Sequence, residues 1–160
     1  MEEGKKKKLV KLPPEVLADA LLKMTEHDTM AERLVERLIS EPDVIIKSFR
    51  RKISGLKRRK KFIHRNESRR FAAELDHLLE DLEHVKPDPG VGMSLIASFL
   101  ETDQAVFGNC DDSFGYIGDV YRYGARSLFT QYASRCTDKK QVLDLLIKTY
   151  SNDPYSVREG

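Results

Sequence analysis

Residues 43–85 constrain the fold more than any other part of the chain, because they hold two consecutive amphipathic segments of opposite charge. At about 100° per residue, the apolar side chains of residues 43–63 fall within one quadrant of a helix and the cationic side chains fall on the opposite side. We therefore predict one long basic helix from Asp43 to Ile63, roughly 30 Å in length. Its apolar face comprises Ile45, Phe49, Ile53, Leu56 and Ile63, and its basic face comprises Lys47, Arg50, Arg51, Lys57, Arg58 and Lys61.

Residues 66–85 predict an acidic helix that folds back against the basic one. Asn66 is a candidate N-cap, because its side chain can accept a hydrogen bond from a free backbone N–H of the first turn. The connection through His64 and Arg65 is short, so the two helices should be antiparallel neighbours. The apolar stripe of the acidic helix comprises Phe71, Leu75, Leu78, Leu79, Leu82 and Val85, and it is flanked by Glu74, Asp76, Glu80, Asp81 and Glu83.

Similar patterns predict helices on both sides of this pair, and no segment alternates apolar and polar residues with the period of two that a strand shows. We predict an all-α fold of about seven to eight helices packed as antiparallel hairpins, either α-solenoid-like or as an irregular array. Gly108 is expected to end one helix in the left-handed conformation, and Gly124 to let a neighbouring helix approach closely. The remaining helix starts are predicted at or near Pro14, Thr29, Pro89, Ser113, Thr137 and Asp153.

The chain is expected to comprise a disordered basic arm, residues 1–12, and a single helical domain, residues 13–160. Asp153-Pro154 is a helix start with little chain after it, so we expect the domain to be truncated at its C-terminal end. Loss of that cover would expose an apolar surface and favour self-association. The inner faces of the first two helices of the domain are predicted to hold Leu17, Ala20, Leu21, Met24, Leu34, Val35, Leu38 and Ile39.

The formal net charge of +2 conceals a division of charge along the chain. Residues 1–12 and 47–70 hold 17 of the 28 Lys and Arg residues but only three of the 26 acids, which predicts a bipolar surface. Cys110 and Cys136 form no CxxC pair, so we expect no zinc site and a reducing, cytoplasmic environment. No apolar run approaches the roughly 18 residues of a membrane-spanning helix.

Two polar constellations have both a functional and a structural interpretation. His77, Asp81 and His84 lie on one flank of the acidic helix and could hold a divalent metal, although a solvated acidic face is the better interpretation. The densest polar cluster could be a cation site, a catalytic site or a conformational element, but acids and Ser are also favoured at a helix N-terminus by its free N–H groups. That cluster comprises Asp111, Asp112, Ser113, Gly118 and Asp119.

No catalytic residue, cofactor or metal site is predicted. Gly115 and Gly118 do not follow a strand, so a dinucleotide-binding loop is not supported. The cluster from Asp111 lacks the spacing and the final Glu of a calcium-binding EF-hand loop.

The basic face of residues 43–63 is the best functional candidate, because a basic amphipathic helix can bind nucleic acid, anionic lipid or an acidic protein. The alternative is a solvated face neutralised by acids of the neighbouring helix, especially Glu74 and Asp81. We predict a non-enzymatic helical scaffold or protein-interaction module that binds a protein partner or the remainder of a longer chain. The second hypothesis is sequence-independent binding to nucleic acid, and a duplex is favoured because no exposed aromatics are expected among the cations.

Several segments resemble an uncharacterised bacterial family of helical proteins, some of which occur with a SWIM-type zinc finger. The resemblance covers roughly residues 14–150 and implies a bacterial helical module, with no established activity to transfer. The cysteines and histidine of the SWIM finger are absent, so the resemblance implies no zinc site. It rests on Leu17-Ala18-Asp19-Ala20-Leu21-Leu22, Arg58-Arg59-Lys60-Lys61-Phe62-Ile63, Phe71-Ala72-Ala73-Glu74-Leu75-Asp76 and, most specifically, Asp111-Asp112-Ser113-x-Gly115-x-Ile117-Gly118-Asp119-Val120.

Overall fold

The structure is a computed structural model that describes residues 1–158, and its regular secondary structure there is helical. Residues 116–135 form one continuous helix whose middle part is π-helical. If that helix is counted once, eight helices have eight residues or more, which confirms the predicted all-α class. The elements are α1 Glu2–Leu9, α2 Pro14–Thr25, α3 Thr29–Ile39, α4 Pro42–Lys57, a 3₁₀ turn Arg65–Glu67, α5 Ser68–Val85, α6 Pro89–Leu100, α7 Asp103–Phe107, α8 Tyr116–Asp119, the π-helical Val120–Ala125, α9 Arg126–Arg135 and α10 Lys139–Tyr150.

The chain divides into two compact units, residues 1–41 and residues 42–160, where the sequence predicts one domain from residue 13. The first unit holds α1, α2 and α3. Residues 1–12 are fully exposed, as expected of a basic arm, but Glu2–Leu9 are helical rather than irregular. Glu3 and Lys7 form an i,i+4 ion pair with 3.7 Å between charged atoms, which is one local interaction that supports this turn.

The α2–α3 hairpin of the first unit buries much less than its sequence predicts. Within residues 1–41, Ala31 is the one buried side chain, and Leu17, Leu21 and Val35 are half-buried. Two short helices share a single seam, so the remaining apolar positions of each helix stay outside it. The side chains predicted inward but found exposed are Ala20, Met24, Leu34, Leu38 and Ile39.

The second unit is built around α6, whose residues are buried on nearly all sides, as in a helix at the centre of a core. Helix α6 packs against α9, α10 and α4, while α5 packs against α4 and α8. Contacts are therefore not restricted to consecutive hairpins as in a solenoid, and the unit is the irregular form of the predicted array. The core of the second unit includes Phe49, Leu75, Met93, Phe99 and Tyr121.

The close approach predicted at Gly124 is confirmed. A Cβ atom at this position would lie 2.9 Å from Leu79 Cδ1 of α5. The absence of a side chain therefore lets the π-helical segment and α5 pack in direct contact. The π-helical turn itself lies at this contact, between Val120 and Ala125.

Long-range contacts break the helix that the sequence predicts between residues 89 and 107. The break falls at Glu101 and Thr102, where the buried Thr102 hydroxyl donates to the Phe99 carbonyl and shares a hydrogen bond of 2.7 Å with the Tyr121 hydroxyl.

Gly108, which was predicted to end a helix in the left-handed conformation, has φ −68° and is right-handed. Its N–H still donates to the Gln104 carbonyl, which extends the last turn of α7.

The predicted helix starts at Pro14, Thr29 and Pro89 are confirmed, and two others differ from the predictions by one to three residues. The N-cap of α10 is Asp138 rather than Thr137, because the Asp138 carboxylate accepts the N–H of Gln141 at 3.1 Å. Helix α8 starts at Tyr116 rather than near Ser113, after the left-handed Gly115 with φ 78°.

Residues 153–158 form a turn where the sequence predicts an eighth helix. Asp153 accepts the N–H groups of Val157 and Arg158, each at 3.0 Å. An aspartate that resembles a helix cap therefore closes a tight turn, and the turn places Val157 and Arg158 in the core.

Candidate nucleic-acid interface

The outer face of α4 carries the cations that the sequence places there. Ile45, Phe49 and Ile53 are buried on the inner face, which confirms the predicted apolar stripe. Lys47, Arg50 and Arg51 are exposed on the opposite face.

Helix α4 ends at Lys57 and not at Ile63, so the basic surface is part helix and part loop. Gly55 weakens the last turn, and consecutive cations from Lys57 to Lys61 repel one another at helical spacing. An isolated β-bridge between Ile63 and Cys110 holds residue 63 in an extended conformation, which is incompatible with a helix that continues to this residue. The Ile63 N–H donates to the Asn109 carbonyl at 2.8 Å, and the Asp111 N–H donates to the Ile63 carbonyl at 2.9 Å.

Within residues 1–158, Lys57 is the one predicted basic-face residue whose side chain contacts other side chains of the protein through an ion pair or hydrogen bond. Its ammonium lies 2.9 Å from Glu101 and 3.2 Å from the Ser98 hydroxyl. Lys148 pairs with the same carboxylate at 3.1 Å. Although partial burial alone would raise the pKa of Glu101, hydrogen bonds from the two lysines bring that pKa below its ordinary value of 4.5.

The other five predicted cations face solvent without an acidic partner. Across the part of the chain that the structure describes, the ion pairs and side-chain hydrogen bonds include none from them. Glu74 pairs with Arg70 of its own helix, 3.8 Å between charged atoms, rather than with α4. These five cations are Lys47, Arg50, Arg51, Arg58 and Lys61, of which Arg58 and Lys61 lie on the loop that follows α4.

The loop between α4 and α5 is rigidified by its own backbone contacts. Asn66 does not cap α5 as predicted, because it lies inside the 3₁₀ turn and the N-cap of α5 is Glu67. His64 is the N-cap of the 3₁₀ turn, and the Glu67 carboxylate accepts the His64 N–H at 3.0 Å. This hydrogen bond is the main cause of the lowered pKa of Glu67. The Asn109 amide donates to the Arg59 carbonyl at 3.2 Å, which ties the loop to residue 109 a second time.

In the polar cluster from Asp111 to Asp119, Asp111 and Asp112 accept hydrogen bonds from residues that follow them, which agrees with the structural interpretation of this cluster. Asp112 accepts the N–H groups of Ile117 and Gly118 at 3.0 and 2.8 Å, at the start of α8. Asp111 accepts hydrogen bonds from the N–H and the hydroxyl of Ser113, which lower the pKa of Asp111. Asp119 is exposed at the end of α8.

The half-buried Cys110 lies beside this cluster, and its thiol has a raised pKa. Burial raises the pKa of its thiol to about 11, and the nearby Asp112 and Asp111 add to the shift. The thiol is therefore protonated near neutral pH.

The predicted histidine cluster on α5 forms a local contact. His77 Nδ1 lies 3.1 Å from Glu80 Oε2. Among residues 1–158, no group of three or more His, Cys, Asp or Glu side chains is arranged to hold a metal ion.

Exposed aromatic side chains beside the basic loop were missed by the sequence reasoning, which expected none among the cations. Phe62 is 45 % exposed, Phe114 53 % and Tyr116 41 %. Phe62 directly follows the run of cations from Lys57 to Lys61, and this position in the sequence could have indicated an exposed ring beside them. Phe114 and Tyr116 are brought to the loop only by the bridge at Ile63, which a local pattern does not reveal.

These features define an all-α protein with an exposed basic surface in its second unit. The chain belongs to a family of unknown function, DUF6880, which it matches over residues 4–159. No curated protein and no solved structure matches it. No helix within residues 1–158 combines the length and the apolar character needed to cross a membrane.

Proposed function

We propose that the second unit binds nucleic acid independently of sequence, through contacts between its basic surface and phosphates. The supporting observation is the set of five exposed cations on α4 and the following loop that have no acidic partner in the described chain. Residues 47–70 contain twelve Lys and Arg residues and one acid, Glu67, whose carboxylate already accepts the His64 N–H. Such a density of positive charge attracts a polyanion and releases its counterions on binding.

The dimensions of the surface suit several phosphates. Helix α4 has 16 residues, which corresponds to about 24 Å of helix. Lys47, Arg50 and Arg51 lie within one turn of each other, and Arg58 and Lys61 continue the positive charge beyond the end of the helix.

The burial of α4 favours nucleic acid over a membrane surface. A helix that lies on a bilayer inserts its apolar face between the lipids. The apolar face of α4 is already occupied, because Ile45, Phe49 and Ile53 are buried.

The proposed role is non-enzymatic and cytoplasmic. It is consistent with the high pKa of Cys110 and with the use of Asp111 and Asp112 in local hydrogen bonds. The bacterial origin and the association with SWIM-type fingers that the resemblance implies stay predictions.

Fluorescence anisotropy of a labelled duplex at about 50 mM salt tests the proposal. We expect the wild-type chain to bind and the double reversal Arg51→Glu, Arg58→Glu to lose most of that binding. The matched control reverses Arg135 and Lys140, two exposed cations outside the surface. Both double variants change the net charge from +2 to −2, so only the position of the charge differs. Equal losses in both variants, or no wild-type binding to duplex or single strand, would reject the proposal.

A protein-interaction module is the second candidate function, and the exposed apolar side chains of the first unit favour it. Leu34, Leu38 and Ile39 of α3 and Met24 of α2 are exposed, and a run of apolar side chains on one hairpin is typical of a docking surface. The occupant that fits is an apolar helix face of a partner protein. When no partner is present, a second copy of the chain can occupy the surface.

Sedimentation of the full chain at several concentrations tests this second candidate. We expect association that increases with concentration and that Leu38→Glu abolishes without a change in thermal stability. The control Leu143→Glu alters a similarly exposed leucine on α10. A chain that stays monomeric at every concentration would contradict self-association through this face.

A further inference from the structure

Three aromatic side chains stand exposed beside the most basic loop of the protein. Phe62, Phe114 and Tyr116 each leave about half of their surface in solvent, whereas Ile63, next to Phe62, is 1 % exposed. A phenylalanine that leaves half of its surface in water loses about half of the stabilisation that full burial would give. Several such rings in one place, rimmed by charge, indicate a binding surface.

The bridge at Ile63 explains how the loop presents its rings. Successive side chains of an extended segment point to opposite faces, so the burial of Ile63 turns Phe62 and His64 outward together. The rings of Phe62 and His64 make an edge contact with centroids 5.1 Å apart.

The exposed rings of Phe62, Phe114 and Tyr116 form an aromatic patch. Arg65 contacts the part of this patch that lies at Phe114. The Arg65 guanidinium lies over the Phe114 ring, 4.2 Å from its centroid. Phe114 and Tyr116 form a further tilted pair at 5.7 Å. Arg65 follows His64 directly and begins the 3₁₀ turn, so the residues that contact the two aromatic pairs are neighbours in the same loop.

The charge around this patch selects its ligand. Arg58, Lys60, Lys61 and Arg65 are exposed in the same loop. These four cations outnumber the three nearby carboxylates, those of Glu67, Asp111 and Asp112, which accept local hydrogen bonds. A partner must therefore offer negative charge and flat apolar faces together.

We propose that Phe62, Phe114 and Tyr116 form a stacking platform for the bases of a single-stranded nucleic acid, with Arg65 and the loop cations holding its phosphates. This inference rests on the proposed nucleic-acid binding and names its substrate class. Bases of a single strand can leave their stack and lie on aromatic rings, whereas the bases of a duplex keep theirs inside the helix. Any base has a flat π-face, so the platform tolerates different sequences.

The direct test compares a labelled single strand and a duplex of equal phosphate number by anisotropy, with wild type, Phe62→Ala and Phe114→Ala. We expect each substitution to weaken single-strand binding about 5- to 100-fold, and to leave duplex binding nearly unchanged. The salt dependence should keep its slope, because no cation has been removed. Phe114→Leu should behave like Phe114→Ala, since leucine restores apolar volume but no flat ring. The control Leu143→Ala removes a similarly exposed apolar side chain on α10 and should have no effect.

A fluorescence signal reports the stacking itself. The chain contains no Trp, so Phe114→Trp introduces a single indole at the centre of the platform. We expect single strands to quench its emission and duplexes to leave it nearly unchanged.

The outcomes separate this inference from the proposed function. If wild type binds both ligands but the aromatic variants keep full single-strand affinity, the platform is rejected and binding through phosphates stands. If wild type binds neither ligand, both proposals fall.

Discussion

Arg158 and Asp103 form a buried ion pair that joins the turn after α10 to the first residue of α7. The guanidinium donates two hydrogen bonds to the carboxylate, at 2.7 and 2.6 Å, and a third to the Thr149 carbonyl at 3.1 Å. The side chains are 2 % and 0 % exposed. Paired groups this deeply buried depend on each other, because either charge alone would be left without water and without a partner.

Replacing Arg158 by Met should therefore destabilise the protein by roughly 3–5 kcal/mol, since it leaves the Asp103 carboxylate buried and unpaired. The double variant Asp103→Leu, Arg158→Met should recover most of this loss, because an apolar pair of similar volume needs no compensation. Urea melts measure both. Arg135→Met, which removes an exposed arginine of α9, serves as the control. A loss below about 1 kcal/mol for Arg158→Met would show that the ion pair contributes little to the stability of the fold.

The ion pairs of Glu101 with Lys57 and Lys148 should make the folded protein less stable in acid. The pKa of Glu101 is lower in the folded chain than its ordinary value of 4.5. The stabilisation is therefore present above that value and disappears as the pH falls through the folded pKa. We expect Glu101→Gln to be less stable than wild type near neutral pH, and the two stabilities to converge as the pH falls through the lowered pKa of Glu101. Urea melts over a pH series check this, and curves that stay parallel throughout would contradict it.

Two glycines with different surroundings predict opposite effects of alanine. Gly124→Ala should destabilise by about 1–3 kcal/mol, because the new methyl group would lie 2.9 Å from Leu79 Cδ1 in the core. Gly55→Ala has no atom within 4 Å of the new methyl group and should stabilise α4 by up to about 1 kcal/mol. Thermal melts of the two variants measure the contrast. A stabilising effect of Gly124→Ala would show that Leu79 can move aside, and a destabilising effect of Gly55→Ala would contradict the prediction for α4.

Periodicity was sufficient to predict the faces of α4 and α5, because a helix that covers a core must keep its apolar residues on one side. It identified Phe49 and Leu78 as buried and Arg51 as exposed, as the structure confirms. It failed where residues far apart in the chain decide the outcome. The end of α4 depends on the contact of Ile63 with residues 109–111, and the burial of Asp103 depends on an arginine 55 positions later.

The candidate site follows the same division. The cations of α4 were predicted from their spacing, but the aromatic patch was not. Phe114 contacts Arg65 only because the two loops meet, and a local pattern does not show which residues of a distant loop lie beside it. The pattern also could not reveal whether α5 neutralises the basic face. The pairing of Glu74 with Arg70 bears on that question, and it is visible only in the structure.

The dependence of nucleic-acid affinity on salt tests the central claim most directly, because it reports how many phosphates the basic surface neutralises. Binding constants measured at several salt concentrations should fall steeply on a logarithmic plot for wild type. The double reversal Arg51→Glu, Arg58→Glu should flatten the slope by about two, or roughly one for each lost phosphate contact. The charge-matched reversal of Arg135 and Lys140 should leave the slope unchanged. Equal flattening by both variants, or an unchanged slope for Arg51→Glu, Arg58→Glu, would contradict a phosphate-binding role for this surface.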